Sequence, residues 1–314
     1  MTDPVVLFPG QGSQKVGMGK ELYEEHASVR TLFDQASEAT DLDLVQLCFE
    51  GPAETLVQTE NVQPAITLVN ICTVEVLRER GVRPVAAAGH SLGEYSALYA
   101  AGVFSLADTL RLVRTRGRAM QAAADRHPGG MSAVIGLDAD TLSAICEEVA
   151  DTGSVQVANH NSTGQVALTG ETDALKRAGE IAKERGAKLI IPLKVSGAWH
   201  SRYMAEAQDA MREALARCEI SDPSIPVIAN LTARPYASAE AVVDHLVDQI
   251  VSPVQWARSM EFLIADGHRT FLEVGPGRVL SGFFRDIDRS VRCLPVQTPG
   301  TLDKAMEMLT ESAD

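Results

Sequence analysis

The sequence predicts an α/β fold with a mostly parallel sheet, interrupted near its middle by a smaller unit of different rhythm. Three observations carry this expectation. Short apolar runs end in glycine loops and lead into helix-length segments, first at Val5–Phe8 and again at Val85–Ala88, which is how strand, turn and helix are punctuated in α/β proteins. In both outer thirds such runs alternate with helices, as parallel strands require. Between residues 126 and 195 the order becomes β-α-β-β-α-β in short cycles, a different supersecondary pattern.

Val5–Phe8 stops at Pro9-Gly10-Gln11-Gly12-Ser13-Gln14, and a helical region follows from about Glu21 to Ala36. Residues 65–80 read as a helix, Val85–Ala88 as a buried strand, and 94–101 and 106–124 as two further helices. The texture changes at Pro128-Gly129-Gly130. Strands are expected at Met131–Gly136, Val155–Ala158, Val166–Thr169 and Leu189–Leu193, with helices at Asp140–Val149 and Asp173–Arg185. Asp140 and Thr172-Asp173 read as the N-caps and Arg185-Gly186 as a basic last turn with a glycine stop. This order is the ferredoxin-like one. A helix at 203–217, a strand at Val227–Ala229, helices at 239–250 and 256–266, and a strand at Thr270–Val274 before Gly275-Pro276-Gly277 then resume the α/β rhythm. The expected organisation is a discontinuous α/β-hydrolase-like catalytic domain, 1–125 and 196–314, with a ferredoxin-like domain inserted at 126–195 whose edge forms one wall of a cleft. No internal repeat or low-complexity segment interrupts it.

The 314 residues are 45% hydrophobic and 22% charged, the composition of a globular protein with a large core. Lys and Arg number 28 against 42 Asp and Glu, a formal net charge of -14, which argues against a nucleic-acid surface. Five scattered cysteines without a CxxC pair indicate neither a disulfide framework nor a zinc site. The start, Met1-Thr2-Asp3-Pro4, lacks the basic region of a signal peptide, and no apolar run has the length of a membrane span. A soluble, cytoplasmic protein is expected.

Gly89-His90-Ser91-Leu92-Gly93 is a GxSxG pentapeptide between a strand and a helix. A sharp turn there holds Ser91 in strained geometry with its hydroxyl outward, the setting of a nucleophile, and leaves the Leu92 amide free to donate to an oxyanion. A glycine-rich turn with an exposed serine is the plainer alternative. A serine hydroxyl needs a base, and His200 is the candidate because it closes Val195-Ser196-Gly197-Ala198-Trp199-His200-Ser201, where the chain leaves the insert. Packing against Trp199 would explain the same histidine without chemistry. His90 points away from Ser91 on a strand-like backbone and reads as a pocket or packing residue. The loop at 9–14 matches neither GxGxxG nor GxxxxGK[ST], so a nucleotide site is not expected; Gln11 could instead offer its amide as a second oxyanion donor. On the 106–124 helix, Leu106, Leu110, Val113, Gly117 and Met120 share a face, while Arg111, Arg114 and Arg118 fall opposite as a solvated face. Arg116 sits at the edge of the apolar stripe, where a guanidinium needs an anionic partner: a structural ion pair, or the free carboxylate of a substrate.

Together these pieces resemble the malonyl-CoA:acyl-carrier-protein transacylases of fatty-acid and polyketide synthesis. The resemblance runs through PGQGSQ at 9–14, Gln63-Pro64-Ala65, GHSLGEYSAL at 89–98, RGRAMQ at 116–121, GAWHS at 197–201, SPVQW at 252–256 and EVGPG at 273–277. It implies that Ser91 is acylated, that His200 is the base, that Gln11 and Leu92 supply the oxyanion amides, and that Arg116 clamps the malonate carboxylate. It implies that a backbone carbonyl in the VQW segment, Gln255, orients the histidine. It also places His90, Met120, Asn159, Asn161 and Trp199 around the substrate. No cofactor or metal is implied; malonyl-CoA is substrate, an acyl carrier protein is the partner, and a monomer is the family default. Malonyl-selective members carry an aromatic residue before the base, and GAWH has Trp where Phe is usual, so malonyl is expected over methylmalonyl. An α/β serine hydrolase and a catalytically silent docking subunit are the rival readings, and a trans-acting polyketide acyltransferase would use the same chemistry. Lys176, Lys183, Arg185 and Lys188 on the insert are candidates for carrier-protein docking.

Overall fold

The computed structural model describes residues 3–311; Met1 and Thr2, read above for a leader, lie outside them. Among the described residues the strands are β1 Val5–Phe8, β2 Ala86–Gly89, β3 Gly130–Ile135, β4 Val155–Ser162, β5 Gln165–Gly170, β6 Leu189–Pro192, β7 Val227–Ile228, β8 Thr270–Val274 and β9 Arg292–Val296. They form a five-stranded sheet in the order β7-β2-β1-β8-β9 and a four-stranded sheet in the order β4-β5-β3-β6. All pairings in the first are parallel, and all in the second are antiparallel. The alternation of α and β in the outer thirds therefore does produce one parallel sheet from both ends of the chain.

β1 lies at the centre of the parallel sheet, and all four of its residues are buried. Its continuous apolar run is what a strand covered on both faces needs. Val6 and Phe8 enter one core and Val5 and Leu7 the other, the period of two that a pleated strand imposes. The second sheet is covered by the helices Ala139–Glu148 and Thr172–Glu184, which close a separate core around Val134, Leu142, Val157, Leu168 and Ala178. It is tied to the rest where Val254 pairs with β4, its amide donating to the Ala158 carbonyl and its carbonyl accepting from His160.

Several local details differ from the sequence reading. The first insert helix is capped by Asp138, whose carboxylate accepts the Thr141 amide at 2.7 Å, rather than by Asp140, which lies inside the helix. The second has Glu171 at its N-cap without a side-chain bond. The helix expected from residue 65 starts at Thr59 and runs to Glu79 with Pro64 inside it. A proline normally ends a helix because it lacks the amide that would bond four residues back. Here the stranded Glu60 carbonyl accepts from Arg114 Nη1 at 2.6 Å, so the helix continues through the defect. β9, Arg-Cys-Leu-Pro-Val, carries no alternating pattern and was not anticipated; it is an edge strand, where proline is tolerated.

The turn between β2 and the helix Gly93–Ala100 is built on two close approaches. A Cβ on Gly89 would lie 1.9 Å from the Gly93 carbonyl, and one on Gly93 would lie 2.0 Å from the Phe8 carbonyl oxygen. Both contacts are with backbone, which has no rotamer to give way. Gly89→Ala and Gly93→Ala are each expected to cost more than about 3 kcal/mol or to prevent folding. Gly164→Ala, where an added Cβ meets nothing within 4 Å, is expected to change stability by less than about 0.5 kcal/mol; urea titration of the three variants checks the contrast.

Candidate active site

Ser91 follows β2 after one intervening residue, His90, and has φ of 50°. That left-handed conformation is costly for a residue with a side chain and persists only where its surroundings over-determine it. One carboxamide does this. Asn230 Oδ1 accepts the Ser91 amide at 2.6 Å, and Asn230 Nδ2 donates to the Gly89 carbonyl at 2.6 Å, so the turn is gripped on both arms. The Ser91 hydroxyl is then presented to His200, with Oγ 2.7 Å from Nε2.

His200 is itself in the left-handed region, φ 59°, and only 3% exposed. Its Nδ1 lies 2.9 Å from the Gln249 carbonyl oxygen. A carbonyl only accepts, so Nδ1 carries the proton and Nε2 offers its lone pair to the Ser91 hydroxyl. The ring is thus set as a base. Burial, then the nearby Arg116 charge, push its pKa down to about 3, which keeps it neutral. The orienting carbonyl is not that of Gln255. Gln249 ends the helix Ala239–Gln249, and the last carbonyls of a helix lack intrahelical partners. Gln255 precedes the next helix, where its carbonyl accepts from Ser259; its amide donates to the Asn230 carbonyl at 2.9 Å.

Arg116 is 2% exposed, and its Nη2 donates to the Ser91 hydroxyl oxygen at 3.2 Å. Its other acceptors are neutral: Gln63 Oε1 at 3.0 Å from Nη1 and Gln249 Oε1 at 2.9 Å from Nη2. Nε has no partner, and among the described residues no carboxylate lies within ion-pair distance of the guanidinium. The structural ion pair weighed for this residue is therefore not what holds it. The solvated face read into the same helix holds for Arg111 and Arg118, which are exposed, but not for Arg114. Arg114 is turned under the Thr59–Glu79 helix, donating to the carbonyl that Pro64 leaves free and to Asn61 Oδ1 at 3.1 Å.

These groups open into a cavity of about 430 Å³ between the two sheets, lined also by Gln11, His90, Leu92, Met120, Asn159, Asn161 and Trp199. All the candidate catalytic and substrate-lining residues named from the sequence except Gln255 thus meet in one place. It lies at the carboxyl ends of β1 and β2, where parallel sheets bind ligands. Among the described residues the Gln11 and Leu92 amides have no protein acceptor, while Gln11 Oε1 accepts from Thr59 at 2.9 Å. His90 Nε2 lies 2.8 Å from Asn161 Oδ1, and burial lowers its pKa. Met120 Sδ lies 3.6 Å from Gln63 Nε2. Trp199 is buried with its indole N–H unpartnered, and its ring rests over Gly197, where a Cβ would come within 2.7 Å.

Gln63, Glu94, Asn230 and Gln249 were not anticipated as site residues. Glu94 is 1% exposed and accepts from the Asn230 amide, Tyr236 Oη and Gln249 Nε2; burial pushes its pKa up to about 7 against those donors. The only sequence signal was a carboxylate three residues after the nucleophile on an otherwise apolar helix. Among the described residues, no group of three or more His, Cys, Asp or Glu could hold a metal ion, and no helix is long and apolar enough to cross a membrane.

The profile of the acyl transferase domain family matches residues 5–298. The malonyl CoA-acyl carrier protein transacylase of Bacillus subtilis is 43% identical over 315 aligned positions, covering 100% of this chain and 99% of that one. A polyketide biosynthesis malonyl CoA-acyl carrier protein transacylase of the same organism, PksC, is 40% identical over 92% of this chain and 98% of its own. The solved malonyl CoA-acyl carrier protein transacylase of Coxiella burnetii superposes with a TM-score of 0.95 at 36% identity, covering 99% of each chain.

The neutral state of His200 has a consequence for stability. Its folded pKa of about 3 lies below the ordinary histidine value of 6.5, so below pH 6.5 the unfolded chain takes up a proton that the native state refuses. This contribution is complete above about pH 6.5 and is lost progressively as pH falls from there toward 3. His200→Gln should therefore flatten the acid limb of a stability–pH profile by about one proton between pH 6 and 4, measured by urea unfolding; an unchanged slope would contradict the assignment.

Proposed function

The chain belongs to the acyl transferase domain family, and from that premise we propose that it moves a malonyl group from coenzyme A to the phosphopantetheine thiol of an acyl carrier protein through a malonyl-serine intermediate. The observation that carries the reading is the buried Arg116 guanidinium, free of any carboxylate and 3.2 Å from the nucleophile. A cation in that position suits an acyl group that ends in its own carboxylate. A hydrolase of neutral esters would have no use for it.

The geometry supports each step in turn. Ser91 Oγ attacks the thioester carbonyl carbon as His200 Nε2 takes its proton, and the Arg116 N–H on the same oxygen favours the developing alkoxide. The oxyanion is taken by the Gln11 and Leu92 amides. When the tetrahedral intermediate collapses, the carbon–sulfur bond breaks and His200 returns the proton to the departing coenzyme A thiolate. The second half runs in reverse: His200 accepts the proton of the pantetheine thiol, sulfur attacks the seryl ester, and Ser91 leaves with the proton restored. The Gln249 carbonyl, at the negative end of its helix, supports the transient imidazolium. No step calls for a resident cofactor or metal.

His90, Met120, Asn159, Asn161 and Trp199 line the space for the acyl group and pantetheine arm, and the Trp199 ring crowds a branch at the α-carbon. The parallel layer, 1–125 with 196–314, reads as the hydrolase-like catalytic domain and 126–195 as a ferredoxin-like insert; the strand order of the second sheet supports the latter. Lys176, Lys183, Arg185 and Lys188 are exposed on that insert; Arg185 is engaged by the Glu148 carboxylate, which leaves the three lysines as the better candidates for an acidic carrier protein. A cytoplasmic monomer fits this role, and the same site serves fatty-acid and polyketide carriers alike.

Incubation with malonyl-CoA should give a malonyl adduct on intact mass, absent in Ser91→Ala. Arg116→Ala should lower kcat/KM for malonyl-CoA by about 100-fold, the weight of a bidentate charged contact, with a much smaller change for acetyl-CoA. Ester hydrolysis untouched by Arg116→Ala, with no malonyl adduct on the unsubstituted chain, would favour a hydrolase. The unsubstituted chain should prefer malonyl- to methylmalonyl-CoA and Trp199→Ala should narrow the gap; equal rates on both substrates before substitution would refute the role given to Trp199.

A further inference from the structure

Glu94 is a buried carboxylate that touches neither substrate space nor reacting atoms, yet its oxygens reach both halves of the site. Oε1 accepts from the Asn230 amide at 2.9 Å and from Tyr236 Oη at 2.7 Å, and Oε2 accepts from Gln249 Nε2 at 2.6 Å. The same Gln249 nitrogen donates to the Ser91 carbonyl at 3.0 Å, while Gln249 Oε1 accepts from Arg116 at 2.9 Å. A primary amide has one donating and one accepting end, and its sense is set by its neighbours. A carboxylate and a peptide carbonyl only accept, and a guanidinium only donates. The oxygen of Gln249 is therefore forced toward Arg116 by what stands behind its nitrogen.

We propose that Glu94 is a positioning residue for the acyl-acid clamp: by accepting the Gln249 N–H it locks that amide with its oxygen against Arg116, and so aims the guanidinium at the acyl group on Ser91. The inference rests on the malonyl reading above. It gives the carboxylate a role that packing alone would not require, since an apolar or neutral side chain of like size would fill the space without the cost of burying an acid.

Replacing the carboxylate by its isosteric amide shows why polarity matters. In Glu94→Gln the new oxygen stays with the two donors at Oε1, because the Asn230 donor is backbone and cannot turn. The new NH2 then faces the nitrogen of Gln249, whose carboxamide can turn. The Ser91 carbonyl still calls for that nitrogen, so the amide is left without a good setting: unrotated it meets another NH2, and rotated by 180° it sets its oxygen against the Ser91 carbonyl and its NH2 against the Arg116 guanidinium, and in neither is its oxygen held firmly on the clamp.

The test is steady-state transfer to a carrier protein with malonyl-CoA and acetyl-CoA as donors, together with thermal melting. Glu94→Gln is expected to raise KM for malonyl-CoA about tenfold, the weight of one hydrogen bond to a charged group, with kcat changed less. The malonyl-over-acetyl ratio of kcat/KM should fall by a similar factor. Tyr236→Phe removes a donor to the same carboxylate on the side away from Gln249; it should melt lower and keep the ratio. A Glu94→Gln protein that melts lower with its ratio intact, or a Tyr236→Phe protein that loses the ratio equally, overturns the proposal and makes Glu94 structural. If Glu94→Gln does not fold, Glu94→Asp carries the test: the acceptor withdrawn by one methylene should give a partial loss of the ratio, and an unchanged ratio overturns the inference. An unsubstituted chain with no malonyl preference would overturn this proposal and the functional reading together, whereas the outcomes above reach this proposal alone.

Discussion

A positive charge sealed in the interior without a negative partner is the constraint on which the site depends. Burying an unpaired ion is costly, and the chain meets that cost for Arg116 with dipoles: two glutamine oxygens, the nucleophilic hydroxyl, and the face of Tyr95 5.8 Å away. The nearest carboxylate, Glu94, stands one residue behind Gln249 and acts on the cation only through it and at a distance. A direct Asp or Glu partner would have been cheaper and, on the function proposed above, would have filled the place of an incoming acid. The same cation also depresses the His200 pKa. On the function proposed above, this one charge would serve substrate recognition and would add to what burial does to keep the base neutral.

The geometry that serves this charge comes from the meeting of two sheets. The parallel layer delivers Ser91 and Gln11 at the carboxyl ends of neighbouring strands. The antiparallel layer brings β4 alongside, with Asn159 and Asn161, and hands the chain back through Trp199 to His200. The cleft is what remains between a layer that carries Ser91 and a layer that closes over it.

Much of this was legible because some residue types are informative wherever they stand. Glycines flanking a serine between strand and helix announce a close turn, and an arginine on an apolar stripe announces a partner to be found. The histidine at 200 was legible from its motif and its place where the chain leaves the insert. What escaped detection depended on contacts far along the chain. Asn230, Gln249 and Gln63 are neutral amides at helix ends or in a loop, and nothing local shows that one lies 139 residues from the serine it clamps. Gln255 was favoured for orienting the histidine because it sits in the recognisable motif; the rule that helix C-terminal carbonyls are free points instead to Gln249. Pro64 concealed the first turn of its helix, and Arg114 was placed in solvent for a related reason, since one of the acceptors that draw it inward, the Glu60 carbonyl beside the Glu60 carboxylate and Asn61 Oδ1, is left free by that proline.

The histidine is steered by a main-chain oxygen, where serine hydrolases generally employ a carboxylate side chain. Every amino acid carries that oxygen, so no single codon change at 249 can delete it. The tautomer of the base is written into the path of the backbone, and only a shift of the helix terminus could erase it.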